Sequence, residues 1–422
     1  MFIKEAKGKI IKDSRGEKTI QISLTTYTGK FICSSPSGKS TGKYEVSCYN
    51  KDGIKKSLLL LNEFCDTLIN KNFLIRVVDD LMQVQVLIDK FEKNYGKLGG
   101  NVTYVIHGVF LKAAAQEKQK EVWEFIFDDV NKGKTPVMPM PVGNCIGGGL
   151  HSQHVKMRRP DFQEFLLIPN EEKFSRAITK NIQAYESART LLRTKAKNDE
   201  SAWRTNKPNE EVLLILMQIA EKYKLRIGID VAASTFFNGK FYDYKNKNLD
   251  RDRSEQIDYM SRLIQKYDLF YLEDPLQEED FLGFKEILES TQKTKPITAI
   301  EEKTQPETKP ELIRSRNTLI VGDDLITTNV QRLTQAIALK SINSVIIKPN
   351  QIGSILEVKK VVEICKKKNI KMIFSHRSGE TMDTLISDLA VGFQAEFIKC
   401  GIMGRERLIK HKRLMDIEQT LK

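Results

Sequence analysis

Six residues in the second half of the chain close short apolar runs and carry groups that can do chemistry: Asp230, Glu273, Asp323, Lys348, His376 and Lys399. The first three are carboxylates with no lysine or arginine immediately beside them in sequence. Three convergent hard oxygen ligands suit magnesium, which keeps coordination positions open for water and substrate oxygens. The two lysines bring the opposite sign to the same set. A lysine placed among metal ions and a second ammonium loses its proton more readily than a free one, and so becomes fit to act as a base. Polar residues end many strands, and any one of the six alone would carry little weight. Six in succession, with three acids, two lysines and a histidine, carry much more.

The runs they close read as strands alternating with amphipathic helices: Phe162–Ile168, Leu225–Ile229, Leu269–Leu272, Leu319–Val321, Ser344–Ile347, Met372–Phe374 and Glu396–Ile398. Between the fifth and sixth, Ile355, Val358, Val361, Val362 and Cys365 fall on one helical face. The six reactive residues are 43, 50, 25, 28 and 23 positions apart, one or two βα units each. An α/β barrel with parallel strands would bring all six to one rim, at the C-terminal ends of the strands. The chain ahead of it differs. Lys7–Asp13, Thr19–Thr26 and Phe31–Ser35 read as strands, and Lys56–Asn70 and Tyr104–Gln119 as helices. Strands followed by helices describe a small α+β domain over residues 1–130. Pro136, Pro139 and Pro141 then suggest a hinge into a barrel domain spanning 136–422, since repeated prolines continue neither a helix nor a central strand.

Composition narrows the class further. With 422 residues, 40% of them apolar and 29% charged, the chain is an ordinary globular sequence. Its apolar runs are too short to span a membrane, and its first residues enter a patterned strand with no signal-peptide core. The six cysteines form no CxxC pair and no zinc spacing, so they read as reduced thiols in the cytoplasm. The net charge of +13 invites a nucleic-acid reading. The lysines are dispersed, however, with no aromatic-interleaved basic stripe, so solvated surface is expected and no nucleic-acid partner. Gly38-Lys39-Ser40 mimics the end of a phosphate-binding Walker loop, but that pattern needs a glycine where Cys33 stands. Gly147-Gly148-Gly149 reads as a tight turn leading to His151. Trp203 is expected to pack, close enough to Glu200 to touch the site, while His107, His154 and His411 read as structural or surface residues.

Across nearly its whole length the sequence resembles the enolase family. The motifs, in family order, begin with Asp13-Ser14-Arg15-Gly16, Pro36-Ser37-Gly38-Lys39-Ser40-Thr41-Gly42, His151, Gln163-Glu164-Phe165 and Asp199-Glu200. They continue with Asp230-Val231-Ala232-Ala233-Ser234, Leu272-Glu273-Asp274-Pro275, Val321-Gly322-Asp323-Asp324-Leu325 and Lys348-Pro349-Asn350-Gln351-Ile352-Gly353. Last come Ser375-His376-Arg377-Ser378-Gly379-Glu380-Thr381, the most specific run, and Ile398-Lys399. The resemblance implies a TIM-like barrel of ββαα(βα)6 order and the Mg²⁺-dependent dehydration of 2-phosphoglycerate to phosphoenolpyruvate. It implies that Lys348 takes the α-proton, while Glu200, with Glu164 nearby, protonates the departing hydroxyl. Asp230, Glu273 and Asp323 would hold one Mg²⁺, and Ser40, in a loop that closes on the substrate, a second, giving two per active site. Lys399 would stabilise charge on the substrate carboxylate, Arg377 and Ser378 would hold the phosphate, and His151, His376 and Gln163 would line the substrate. A homodimer or a larger homo-oligomer is implied too.

The chain also departs from the family pattern. Gly147-Gly148-Gly149-Leu150 replaces asparagine-glycine-glycine before the histidine, and Glu164 lies 13 positions after His151, more than usual. Ser201-Ala202 stands in place of glycines after the acid, and Lys39 in place of a small residue. The segment after Glu45 is short, and Gly404-Arg405-Glu406-Arg407 replaces arginine-serine-glutamate-arginine. None of these removes an expected ligand, base or acid. Two other readings stay open on the residues alone: a barrel relative acting on another carboxylate-bearing acid, and a non-enzymatic binding protein.

Overall fold

The computed structural model describes residues 1–39, 42–152, 159–245, 249–293 and 318–421, with His151 and Lys293 described by backbone alone. The chain opens with a three-stranded antiparallel meander, Glu5–Lys12, Lys18–Thr25 and Lys30–Ser34. Ile20, Ile22 and Leu24 alternate inward from the middle strand and are fully buried, as the two-residue period of a strand requires. The helices Ile54–Leu68 and Gly100–Glu117 cover this face. The second of these is buried almost all round, because the sheet lies on one side and barrel elements on the other. At Gly108 an added Cβ would lie 2.6 Å from Cys33 Sγ and 2.7 Å from Leu385, so only glycine lets the helix approach both. Asn101, in a formal glycosylation sequon, is wholly buried at the start of this helix and accepts a hydrogen bond from Asn350 Nδ2 at 3.0 Å.

The rest of the described chain forms a closed eight-stranded barrel: Met140–Gly147, Glu164–Ile168, Arg226–Asp230, Tyr271–Glu273, Leu319–Gly322, Ser344–Ile347, Lys371–Ser375 and Phe397–Lys399. Pairing of Phe397–Lys399 with Met140–Gly147 closes the ring. Seven of the expected barrel strands are present. The first, Met140–Gly147, takes in Met140 and Pro141 from the stretch read as a hinge, and the chain then turns over Gly149–Ser152 toward His151. Pro141 sits inside the strand, opposite Ile398, while the second strand joins only from Gly143 onward. The missing proline N–H is thus spent where one neighbour is absent, the position at which a strand tolerates proline. The barrel is not wholly parallel. Glu164–Ile168 runs antiparallel to both neighbours. Glu164, at the beginning of that strand, therefore reaches the same rim as residues at the ends of the others.

Val142, Leu166, Val321, Ile346 and Ile373 fill the barrel interior below the rim. The helix Ile355–Lys368 buries the anticipated stripe of Ile355, Val358, Val361, Val362 and Cys365. Its last turn carries Lys366, Lys367 and Lys368, where cations suit the helix dipole. Lys367 and Lys368 are exposed, but Lys366 is half-buried and donates to Asn131 Oδ1 at 2.6 Å.

Candidate active site

Strand register delivers the acids to one place. Glu273 is the direct partner of Asp230 on the neighbouring parallel strand, and Asp230 is the direct partner of Glu164 on the antiparallel one. Asp323 follows two residues after Val321, which pairs with Glu273. Adjacent strands lie roughly 4.8 Å apart, so the carboxylates face a common cleft. Lys399, the last residue of its strand, reaches across to Glu273 Oε2 at 2.7 Å, Glu164 Oε2 at 3.0 Å and Asp230 Oδ2 at 3.1 Å. Burial alone would lower the pKa of this ammonium, but the three carboxylates outweigh it and hold the pKa well above the ordinary lysine range. Gln163 Nε2 also donates to Asp230 Oδ2, at 3.3 Å.

Lys348 pairs with Asp323 at the same mouth. Burial, Arg377 and Lys399 all push its pKa down, but Asp323 and Glu273 push it up further, so the ammonium is favoured in this arrangement. The sequence leads one to expect an easily deprotonated lysine among metal ions and a second ammonium; in this arrangement the counter-charge that Lys348 meets is Asp323. Asp323 itself, despite burial, is held below the usual carboxylate range by that contact. Gln351 Nε2 donates to Asp323 Oδ1 at 3.3 Å, and Thr328 Oγ1 accepts from the Lys348 N–H at 2.9 Å, fixing where the lysine leaves its strand.

Glu273 and Glu164 share the single Lys399 ammonium with Asp230, and their pKa values move the other way. Burial, then Asp230, pushes Glu273 up to about 8. Its Oε1 atom is buried and meets no donor among the described residues. Burial likewise drives Glu164 well above the carboxylate range, with Glu200, Asp230 and Glu273 adding to it against Lys399. A buried acid that is crowded by like charge and has a lone pair unspent would gain from a cation. The tightest group of three carboxylates is a different one, Asp274, Asp323 and Asp324. Asp274, however, already accepts from the N–H groups of Asp323 (3.0 Å) and Asp324 (2.8 Å). That bonding makes it a brace for the loop.

On the opposite wall Glu200 is buried, accepts from Asn144 Nδ2 at 3.1 Å, and lies 3.7 Å from His376 Nε2. Burial drives the His376 pKa well down, so its imidazole is neutral, and Nδ1 meets no partner among the described residues. Arg377 makes a forked pair with Glu45 at 3.0 and 3.1 Å. Ser378 Oγ accepts from Arg15 Nη1 at 3.1 Å and from the Lys39 N–H at 3.0 Å.

Of the residues singled out from sequence, Lys348, Lys399, Glu164, Glu200, Gln163, His376, Arg377, Ser378, Asp230 and Asp323 line one cleft, and Glu273 binds Lys399 beside it. Ser40 and His154 lie outside the described residues. The backbone of His151 belongs to the short turn Gly149–Ser152, and its side chain lies outside them. Trp203 stacks on Tyr185 with centroids 4.6 Å apart and donates to the Tyr185 carbonyl, so it is packing and does not line the cleft. His107 and His411 are buried, as a structural role requires. Glu45 and the bracing role of Asp274 were missed. Glu45 could not have been found by pattern, because its partner is 332 residues away.

A barrel rim that gathers buried acids, two lysines and a neutral histidine opposite a forked arginine defines an enzyme for acid–base chemistry on an anionic substrate. The enolase C-terminal TIM barrel model matches residues 135–299 and 287–422, and the enolase N-terminal domain model matches residues 3–126. Similar proteins include the enolase of Methanosphaera stadtmanae, 32% identical over 99% of this chain and 97% of the relative. Those of Picrophilus torridus (33% identical, 99% of each chain) and Sulfurisphaera tokodaii (34% identical, 99% and 95%) are also similar. The chain belongs to the enolase family, and its reaction is the hydro-lyase interconversion of 2-phosphoglycerate and phosphoenolpyruvate.

Proposed function

We propose that Lys348 is the base and Glu200 the acid of this reaction, in a cytoplasmic homodimer or larger homo-oligomer that uses two Mg²⁺ per site. A capping domain over residues 1–130 and a catalytic barrel over 136–422 belong to the same proposal. The observation that carries the assignment is that Lys348 and Glu200 line one cleft together with Arg377 and Ser378. Arg377 and Ser378 would bind the phosphate, Arg377 exchanging its Glu45 pair for phosphate oxygens. His376, His151 and Gln163 would line the substrate. Lys348, once neutral, takes the proton from the carbon next to the substrate carboxylate, and the electron pair moves onto that carboxylate. Lys399 faces the developing charge. The electron pair then returns to form the carbon–carbon double bond as the bond to the hydroxyl breaks, and Glu200 gives that hydroxyl a proton so that it leaves as water, with neutral His376 beside Glu200. Asp230, Glu273 and Asp323 would hold one divalent ion and Ser40 would help hold the other. Bound there, the ions would offset the growing negative charge and free Lys348 from Asp323.

Purified protein with Mg²⁺ and 2-phosphoglycerate, followed by phosphoenolpyruvate absorbance, tests the roles. Lys348→Ala and Glu200→Gln should each lower kcat by roughly 10²–10⁴. Near-wild-type turnover in either variant would remove that residue from its role. Activity that persists in excess chelator would overturn the metal assignment, and a monomer by light scattering would overturn the oligomer.

A further inference from the structure

Lys39 touches both walls of the cleft. Its backbone N–H donates to Ser378 Oγ at 3.0 Å, at the end assigned to phosphate. Its side chain runs the other way, and Nζ donates to Asp199 Oδ2 and to the Leu150 carbonyl, each at 3.0 Å. Asp199 directly precedes Glu200, and Leu150 directly precedes His151. The ion pair is largely covered, with 23% of the lysine side chain and 11% of the aspartate side chain exposed. The second carboxylate oxygen, Asp199 Oδ1, is buried and meets no donor among the described residues. Without the lysine, Asp199 would be an uncompensated buried charge next to the acid. A small residue at 39 could still offer its N–H to Ser378. Only a long cation with several donors spans to Asp199 and Leu150 as well.

We propose that Lys39 is a positioning residue that ties the phosphate-binding end of the cleft to the loop carrying Glu200, so that occupancy of one end fixes the geometry of the other. The inference rests on the assignment of Glu200 as the acid and of Ser378 to phosphate. It differs from simple attraction of an anion by a stray positive charge. Attraction would change KM with a strong salt dependence, whereas positioning of the acid changes kcat.

The test compares Lys39→Met, Lys39→Arg, Asp199→Asn and the Lys39→Met/Asp199→Asn pair in steady-state kinetics. Lys39→Met and Asp199→Asn should each lower kcat roughly 10-fold with KM moving less than about threefold. The double variant should be no worse than either single one, since both cut the same tie. Lys39→Arg, which keeps charge and reach, should recover most of the loss. Hydrogen exchange at the amides of residues 198–202 gives a second readout. Saturating 2-phosphoglycerate should slow it in the wild type and leave it unchanged in Lys39→Met, with exchange in the barrel strands the same in both as the control for folding. An effect on KM alone, additive losses in the double variant, or full protection of the loop in Lys39→Met would overturn the tie. Failure of the underlying assignment shows separately, as an active Glu200→Gln enzyme.

Discussion

Two buried histidines should make this protein lose stability as the pH falls below about 6.5. His107 accepts the Ile355 N–H on Nδ1 at 3.2 Å, and its Nε2 meets no partner among the described residues. His411 donates from Nε2 to the Gly401 carbonyl at 3.1 Å. Burial lowers both from 6.5 to about 4. The folded pKa lies below the unfolded one, so the unfolded chain binds more protons between these values and stability falls as pH falls. The contribution is complete above about 6.5 and is lost toward about 4. The full gap is about 3 kcal/mol per histidine, and the part lost between about pH 7.5 and about pH 5 is about 2 kcal/mol each. Together that is about 4 kcal/mol, a large share of the 5–15 kcal/mol or so by which a folded domain is stable. Reversible urea unfolding of wild type and of His107→Gln/His411→Gln, at both pH values, measures it. Glutamine can supply the acceptor for Ile355 and the donor for Gly401 without titrating. The acid-induced drop in midpoint should shrink in the double variant, while any effect of His376 stays in both. Equal drops in the two proteins would refute the reasoning.

Lys410 is buried, 2.8 Å from Glu380, whose other oxygen accepts the Arg377 N–H at 3.0 Å. Lys410→Met should therefore cost about 3–5 kcal/mol in urea unfolding and also weaken substrate binding through Arg377; a neutral variant would contradict the pairing. Gly404 has φ +111° and an added Cβ would lie 2.9 Å from Ser201 Oγ, so Gly404→Ala should destabilise by about 1–3 kcal/mol. Adding Ser201→Gly should return the part due to the clash and leave the part due to backbone, as read from thermal midpoints; full return would show that the backbone is unstrained. Five of the six cysteines are buried and Cys48 is half-buried with a raised thiol pKa. A thiol reagent at neutral pH should titrate at most one thiol in the native protein and all six in denaturant, and two or more fast native thiols would contradict the packing.

The reactive rim was legible because each apolar run ends where its strand ends, so the next polar residue marks the mouth of the barrel. Residues 140–147 were not legible, because Pro141, Gly143 and Gly147 outweigh the apolar pattern in any local reading. The direction of Glu164–Ile168 was legible only through family resemblance, since a short buried run looks the same parallel or antiparallel. The pairing of Lys348 with Asp323 was not legible for a different reason. Its environment was inferred from the cations it should meet, and the pairing with Asp323 depends on a rotamer that only tertiary structure specifies.

The departures from the family pattern scatter along the chain, yet several meet at one loop in space. An added Cβ on Gly147 would stand 2.1 Å from Asn198 Nδ2, so a larger residue at the end of the first barrel strand would push the Asn198 side chain from its place in the loop. Asn198 Oδ1 in turn accepts the N–H groups of Glu200 and Ala202, at 3.0 and 2.9 Å. Ser201, where the family has a glycine, adopts φ +65° and turns its side chain toward Gly404, where the family has an arginine. The space a larger residue at 404 would take is the space Ser201 uses, so the two changes compensate sterically. Lys39 adds a contact on the third side. A loop that loses its glycines loses conformational freedom, and one gripped on three sides loses more. The position of Glu200 therefore depends on residues as far away in sequence as Lys39 and Gly404, and a loop so restrained costs less entropy to place.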